Sequence, residues 1–238
     1  WSLEKTRRKL FALENQDDYI NTILYRPFDK RFIFYHEWLV DRPRKEVMRH
    51  MLKNNLGLVT VRQVAEGIFN HAMVVDSMID NRFTSSNKGI AFVFPLYLYP
   101  ELETNTLFPV LDNEKTVNIK ACILDEVQLA LNMSVTPEDF LYYVYSVLCS
   151  PSYRQKYADF LKVDYPRIPF TSDPKTFMQM AALGKCLVNL HLLKSDELNN
   201  PIVKYQGSGS DRMICKPVYT ENEKRLYIND NYYFENLV

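Results

Sequence analysis

The sequence lacks a long apolar run and a targeting segment. No stretch approaches the about 18 consecutive apolar residues that a membrane-spanning helix needs. The first ten residues, WSLEKTRRKL, are rich in charge and do not resemble a signal peptide. The sequence also begins without Met, which predicts that it is a fragment of a longer polypeptide.

Cysteine is scarce and widely spaced. The four cysteines are Cys122, Cys149, Cys186 and Cys215, and none belongs to a CxxC motif. Cys149 and Cys186 fall within apolar helical patterns. We therefore expect buried free thiols in a cytoplasmic protein, and neither a disulfide framework nor a zinc site.

Catalytic motifs are missing as well. The sequence has neither the Asn/Asp-Pro-Pro-Tyr/Phe segment and glycine loop of an adenine methyltransferase centre nor a GxxxxGKS/T loop for ATP. The four histidines show no metal-ligand spacing. The nearest approach to a nuclease motif is Asp164 with Asp173-Pro174-Lys175, which is better explained by a helix start. We expect no catalytic residue, metal site or cofactor in this chain.

Charge is balanced overall but unevenly distributed. The 238 residues carry 29 Lys/Arg and 29 Asp/Glu, which argues against a nonspecific basic coat for nucleic acid. Residues 1–62 contain 13 basic and 8 acidic residues, 63–150 contain 4 and 11, and 151–238 contain 12 and 10. This asymmetry allows a basic face near the N-terminus.

The first hundred residues have strand patterns. Residues 19–26 and 31–40 flank a Pro-Phe-Asp-Lys turn, which predicts a hairpin, and apolar residues on both faces of its second strand predict an internal position. Residues 57–63, 69–78 and 90–100 predict three further strands, the last at an edge because of Pro95. Residues 101–120 form a long connection without a clear period.

A basic helix is predicted between these strands. Asp41-Arg42-Pro43 indicates its start, and the face opposite Val47 and Met51 carries cations. The candidate phosphate contacts are Arg42, Arg44, Lys45 and Arg49. A solvated helix face is an equally good explanation.

Polar segments beside the predicted strands supply candidates for base contacts. Arg and Lys suit guanine, and Asn and Gln suit adenine, in the major groove. The candidates for groove contacts are Arg62, Gln63, Arg82, Asn87 and Lys88. The last three lie in residues 80–89, for which an ordinary surface loop is the alternative.

Residues 150–193 predict a helix, a rigid extended link and a long core helix. Ser150 with Pro151, and Asp173 with Pro174, are typical helix starts, and residues 164–169 contain two prolines that exclude helix. The second helix is apolar on most sides, which predicts a central core position. Gly184 within it indicates a close crossing with another element. Shorter helices precede this region and short strands follow it, so the predicted class is α+β: a β-rich N-terminal part with a hairpin and mixed sheet, a central helical core and short C-terminal strands.

Several long segments resemble a known family. SPSYRQKYADFLKVDYPRIPF at 150–170 and LGKCLVNLHLL at 183–193 are similar to the C-terminal specificity, or target recognition, domain of Type ISP restriction-modification enzymes and related adenine-specific DNA methyltransferases. Further similar segments are YRPFDKRFIFYHEWLVDRPRKEVMRHML at 25–52, NLGLVTVRQ at 55–63, FPLYLYP at 94–100 and TPEDFLYYVYSVLCSPSYR at 136–154. The resemblance implies a linker or helix at 1–18 and a recognition domain at 19–238. The family's Gly-Tyr segment and its Trp-Leu-Lys helix are absent, so the C-terminal end is expected to be truncated.

The resemblance also implies a function. The chain would read double-stranded DNA and position it for an upstream N6-adenine methyltransferase domain of the same polypeptide, which would use S-adenosylmethionine. The motif residues expected to be structural, or to dock that domain, are Tyr25, Arg26, Asp29, Arg154 and Arg167. Arg167, between two prolines, is expected to be buried with a carboxylate partner. The alternative is an interdomain scaffold with little DNA contact, which the neutral net charge favours.

Overall fold

The computed structural model describes residues 2–64, 66–84, 89–101 and 115–237 and divides the chain into two compact units, 1–192 and 193–238. Within those ranges the helices are α1 Leu3–Phe11, α2 Lys45–Met51, α3 Ala121–Leu131, α4 Pro137–Cys149, α5 Pro151–Lys156, α6 Phe160–Val163 and α7 Pro174–His191. The strands of the first unit are β1 Ile20–Arg26, β2 Asp29–Phe34, β3 Gly57–Val61, β4 Met73–Val75, β5 Met78–Ile79, β6 Ala91–Pro95, β7 Tyr97–Leu98 and β8 Thr116–Val117. Those of the second are β9 Lys204–Gly207, β10 Val218–Thr220, β11 Arg225–Tyr227 and β12 Tyr232–Glu235. The predicted α+β class is confirmed.

The described residues of the first unit form three small sheets. The predicted hairpin forms from β1 and β2, and β5 pairs in parallel with β1 in the order β2-β1-β5. The second sheet has the order β4-β3-β6, and β7 pairs with β8. β6 lies at an edge, as Pro95 predicted. The predicted strand 69–78 is instead two short strands, β4 and β5, in different sheets.

The interior position predicted for the second hairpin strand is wrong. β2 is an edge strand, and Phe32 on its outer face is 81% exposed. Alternating aromatic residues indicated two covered faces, but no described element pairs with the free edge of β2.

α4 and α7 pack against each other at the centre of the helical core. Thr136 caps α4 by accepting a hydrogen bond from the backbone N–H of Asp139 at 3.1 Å, and Asp173 caps α7 by accepting one from Thr176 at 2.9 Å. At their crossing, a Cβ added to Gly184 would lie 1.9 Å from the carbonyl oxygen of Tyr142. The close approach predicted at this glycine is therefore confirmed.

Two predictions about the helical core need correction. α7 is buried along one face, at Phe177, Ala181, Gly184 and Val188, whereas Met178 and Leu183 are exposed. The helix predicted after Ser150 is two short helices, because the backbone of Tyr157 leaves the helical region at φ −110° and ψ 21°. The 164–173 link contains no helix, as its prolines predicted.

The prediction of buried thiols fails at three of the four cysteines. Cys122, Cys186 and Cys215 are exposed, and Cys149 is half-buried. All four are free thiols. An apolar helical pattern indicated burial of Cys186, but that position lies outside the one face of α7 that packs.

The second unit is a four-stranded antiparallel sheet with the order β10-β11-β12-β9. The rings of Tyr205 and Tyr232 stack at 5.2 Å on neighbouring strands of this sheet. Tyr232 also donates a hydrogen bond to the carbonyl of Gly209 at 2.5 Å, which anchors the Gly-Ser-Gly turn. The predicted short C-terminal strands thus form one sheet.

Candidate nucleic-acid interface

The predicted basic helix begins later than its sequence suggested. Arg42 and Arg44 both adopt left-handed backbone conformations, with φ of 51° and 49°, so α2 starts at Lys45 and Asp41 does not cap it. The Tyr35 hydroxyl donates to the carbonyl of Pro43 at 2.5 Å and holds the turn that precedes the helix. Left-handed conformations are costly for residues with a Cβ and are enriched at functional sites.

Three of the four side chains predicted to contact phosphate are accessible to a DNA backbone. Arg42, Arg44 and Lys45 are exposed, and no carboxylate among the described residues forms an ion pair with them. Arg49 differs, because its side chain is 28% exposed and its Nε lies 3.8 Å from the Glu101 carboxylate. Unpaired exposed cations on a fixed turn are suited to phosphate oxygens.

The two candidates at the end of β3 already have partners in the chain. Arg62 Nε lies 3.2 Å from the Asp164 carboxylate, and Gln63 donates to the carbonyl of Val163 at 3.3 Å. The Val64 N–H also donates to the Lys162 carbonyl at 3.1 Å. These contacts fasten β3 to α6, and base contacts by Arg62 and Gln63 stay a prediction.

The candidate loop is described only in part. The backbone N–H of Arg82 donates to the Asp80 carboxylate at 2.9 Å, and its side chain is exposed. Phe83 beside it is fully buried and anchors this turn. Asn87 and Lys88 lie outside the described residues, so their predicted role has no structural description.

The motif residues of the hairpin form a charged network with Arg31 and Asp80. The guanidinium groups of Arg26 and Arg31 lie 4.0 and 4.2 Å from the centre of the Tyr25 ring. Arg26 pairs with Asp80 at 3.0 Å, and Arg31 binds both carboxylate oxygens of Asp29, which lowers the pKa of Asp29. The network ties β1 to the end of β5, which agrees with a structural role for Tyr25, Arg26 and Asp29.

Arg154 and Arg167 have different environments. Arg154 is half-buried, its Nε donates to the Leu148 carbonyl at 2.6 Å, and its guanidinium lies 5.9 Å from the Phe69 ring. Arg167 is exposed at the rim of an apolar groove of about 600 Å³, and no described carboxylate forms an ion pair with it. The expected burial of Arg167 with a carboxylate is wrong, because its link runs along the surface.

Buried Asn55 holds the C-terminal end of α2 in place, and no sequence pattern predicted this role. Asn55 donates to the carbonyls of His50 and Tyr97 at 3.1 and 2.8 Å and accepts hydrogen bonds from the N–H groups of Leu56 and Tyr97. His50 Nδ1 accepts a further bond from the N–H of Tyr99 at 3.0 Å. These bonds position α2 against β3 and β7.

With this geometry in place, comparison with known proteins assigns the fold. The sequence model of the Type ISP C-terminal specificity domain matches residues 1–238. The chain belongs to this family. No curated protein matches the chain.

Several solved structures of DNA-bound proteins share the fold of this specificity domain. The ATP-dependent Type ISP restriction-modification enzyme LlaBIII bound to DNA superimposes with a TM-score of 0.73 at 22% identity over 100% of this chain and 15% of its own. A DrdV-DNA complex superimposes with a TM-score of 0.71 at 21% identity and covers 94% of this chain and 22% of its own. A nuclease-deletion mutant of the Type ISP restriction-modification enzyme LlaGI with a DNA substrate mimic has a TM-score of 0.65 at 22% identity and covers 99% of this chain and 20% of its own. The specificity domain thus spans less than a quarter of each of these chains.

The part of the domain that the structure describes contains no cluster of three or more His, Cys, Asp or Glu side chains arranged for a metal ion. Nor does any described helix combine the length and apolar character needed to cross a bilayer.

We expect the domain to lose stability in mild acid, because three of its histidines have lowered pKa values. Burial lowers the pKa of His50, His71 and His191, and the positive charges of Arg49 for His50 and of Arg154 for the other two lower it further. The unfolded chain therefore takes up protons at about pH 6.5, before the folded chain does. We expect the urea midpoint to fall between about pH 7.5 and about pH 5.5, and to stay level between about pH 7 and about pH 8. An unchanged midpoint in acid would contradict this assignment.

Proposed function

We propose that this domain recognises a specific sequence in double-stranded DNA and positions it for modification by other parts of a larger polypeptide. The observation that carries the proposal is membership of the specificity-domain family along residues 1–238. The exposed cations Arg42, Arg44 and Lys45 support it, because they form no ion pair with a described carboxylate and can neutralise backbone phosphates. Arg49 could join them if its long contact with Glu101 opened.

Base recognition would lie beside this phosphate contact. Arg62, Gln63, Arg82, Asn87 and Lys88 are the proposed reading residues. To reach base edges, Arg62 would have to leave the Asp164 carboxylate, and Gln63 would have to break its hydrogen bond to the Val163 carbonyl. Each wrong base pair would then cost about 1–3 kcal/mol of binding free energy.

The larger polypeptide is proposed to be an N6-adenine DNA methyltransferase with restriction activity. Its S-adenosylmethionine and catalytic residues would belong to domains upstream of this chain, against which Arg154, Arg167 or the Tyr25 network could dock. A cytoplasmic location follows from the proposed DNA substrate.

An interdomain scaffold is the second candidate. The zero net charge favours it, as do the intrachain contacts that already occupy Arg62 and Gln63. A scaffold would bind duplex DNA weakly or not at all at low salt, whereas a DNA reader should bind and lose affinity steeply as salt rises.

The Arg42→Ala/Arg44→Ala double variant tests the phosphate contact. Each lost contact should reduce the slope of log affinity against log salt by about 1, so we expect a decrease of about 2 and a loss of affinity of about tenfold or more at low salt. Anisotropy titrations with labelled duplex DNA at several salt concentrations measure both quantities. Alanine keeps a Cβ at these left-handed positions, so the backbone strain is unchanged.

The matched control is Lys175→Ala/Lys185→Ala, which removes two exposed cations from α7. It should keep the slope of the unmodified chain. Equal slopes for both double variants would reject the assignment of Arg42 and Arg44. No binding by the unmodified chain at low salt would reject DNA reading in favour of the scaffold.

A further inference from the structure

A cleft of about 400 Å³ opens beside the candidate phosphate contact. It lies between the start of β1, the segment that follows β2, and α2, and its lining includes Tyr19, Asn21, His36 and Lys45. The volume falls within the about 300–1,000 Å³ typical of small-ligand sites. The cleft is separate from the apolar groove at Arg167, and its lining does not include Arg62, Gln63 or Arg82.

The lining of this cleft includes aromatic rings. The rings of Tyr19 and His36 lie 5.0 Å apart at 52°, so they meet at an angle and are not stacked face to face. Outside the lining, the ring of Phe34 stacks on Tyr19 at 5.5 Å, and the ring of Trp38 lies 4.6 Å from His36. A backed aromatic wall can accept a planar ring by stacking, as in proteins that bind unpaired bases.

Acceptor groups lie next to the aromatic wall. The Asn21 side chain donates its amide N–H to the Tyr19 carbonyl at 3.0 Å, which fixes its orientation and leaves Oδ1 as an acceptor. Asp18 and Glu37 add two exposed carboxylates, and neither forms an ion pair with a described cation. Amide and carboxylate oxygens accept hydrogen bonds from the exocyclic amino groups of adenine, cytosine and guanine, whereas thymine lacks such a group.

The lining of the cleft also contains cations. Lys45 and Arg49 both border the cleft, and the Nε of Arg49 is buried and forms no hydrogen bond with a described residue. A phosphate next to the stacked base would meet these groups and would continue the cation row of Arg42 and Arg44.

We propose that this cleft holds one extrahelical nucleotide of the bound DNA, with an amino-bearing base on Tyr19 and His36. The exocyclic amine donates to Asp18, Asn21 or Glu37, and the neighbouring phosphate contacts Lys45 and Arg49. This inference rests on the proposed DNA-binding function and adds a site for an unpaired base to it.

Duplexes with a one-nucleotide bulge test the site on the full 238-residue chain. A bulged adenine, cytosine or guanine should raise the affinity about tenfold over an abasic bulge, and a bulged thymine should gain less. The abasic bulge is the reference because it bends the duplex similarly but offers no base. A bulged 2-aminopurine reports stacking directly, and we expect its fluorescence to be quenched when the chain binds.

The Asp18→Asn/Glu37→Gln double variant removes the charged acceptors from exposed positions. It should weaken the preference for amino-bearing bases over thymine, because the amide oxygens that replace the carboxylates are weaker acceptors, and it should not weaken binding of the fully paired duplex. The control is Asp159→Asn/Glu221→Gln, two exposed acids outside the cleft, which should keep the preference.

The outcomes separate the two proposals. If paired duplexes bind but an adenine bulge binds no better than the abasic bulge, the cleft is not a nucleotide site. If no duplex binds at low salt, the proposed DNA function fails, and titration with deoxyadenosine monophosphate decides the cleft separately through Trp38 fluorescence. Absence of a Trp38 response would then overturn this inference as well.

Discussion

Replacing Gly184 by alanine is expected to destabilise the domain by about 3 kcal/mol, although alanine is the better helix former. On an open helix surface the change would stabilise by about 1 kcal/mol. Here the new Cβ would lie 1.9 Å from the Tyr142 carbonyl oxygen and 2.6 Å from its carbon, and backbone atoms cannot move aside as a flexible side chain can. α4 and α7 would have to separate, which opens the core that they share.

Urea unfolding monitored by circular dichroism measures this loss. The control is Lys185→Ala, the adjacent exposed position on the same helix, which should change the free energy of unfolding by less than about 0.5 kcal/mol. If Gly184→Ala were as stable as this control, the close crossing of α4 and α7 would be wrong.

Truncating Phe177 to alanine should cost about 3–5 kcal/mol, the usual range for a buried phenylalanine. Phe177 is 0% exposed, and its ring stacks on Tyr143 at 4.7 Å and 13°. Tyr143 in turn donates a hydrogen bond to the Pro169 carbonyl at 2.9 Å and accepts one from the Thr171 N–H. The cavity would therefore loosen the link between α6 and α7 in addition to the core itself.

Phe160→Ala is the matched control, because this phenylalanine is 74% exposed. Its truncation should change the free energy of unfolding by less than about 0.5 kcal/mol. Thermal or urea unfolding of both variants gives the comparison. If Phe160→Ala lowered the free energy of unfolding as much as Phe177→Ala, the central position of Phe177 in the helical core would be wrong.

Local chemistry explains why several elements could be predicted from the sequence. Thr136, Ser150 and Asp173 cap helices because a short side-chain oxygen followed by proline suits the first turn, whatever the helix packs against. The two prolines of the 164–169 link exclude helix in the same local way. The hairpin of β1 and β2 likewise depends on its own turn.

Burial and pairing could not be predicted in this way. Cys186 and Leu183 have the apolar pattern of core residues, yet only one face of α7 packs, so both are exposed. The same applies to Phe32, whose strand has the composition of an internal strand but lies at an edge. An apolar sequence pattern shows which faces of a helix or strand could be buried, whereas the element that packs against it determines which face is buried.

The candidate site shows the same division. The sequence alone determined the family resemblance, the supply of cations between Arg42 and Arg49, and the absence of catalytic motifs. Tertiary structure decided which of those cations are available: Arg42, Arg44 and Lys45 are exposed, whereas Glu101 lies beside Arg49 and Asp164 beside Arg62. It also created the cleft of Tyr19 and His36 and the hydrogen bonds of buried Asn55, because those contacts join segments that are distant along the chain. Caps and turns depend on neighbours in sequence, whereas ion pairs, clefts and buried faces depend on neighbours in space, which only the folded chain defines.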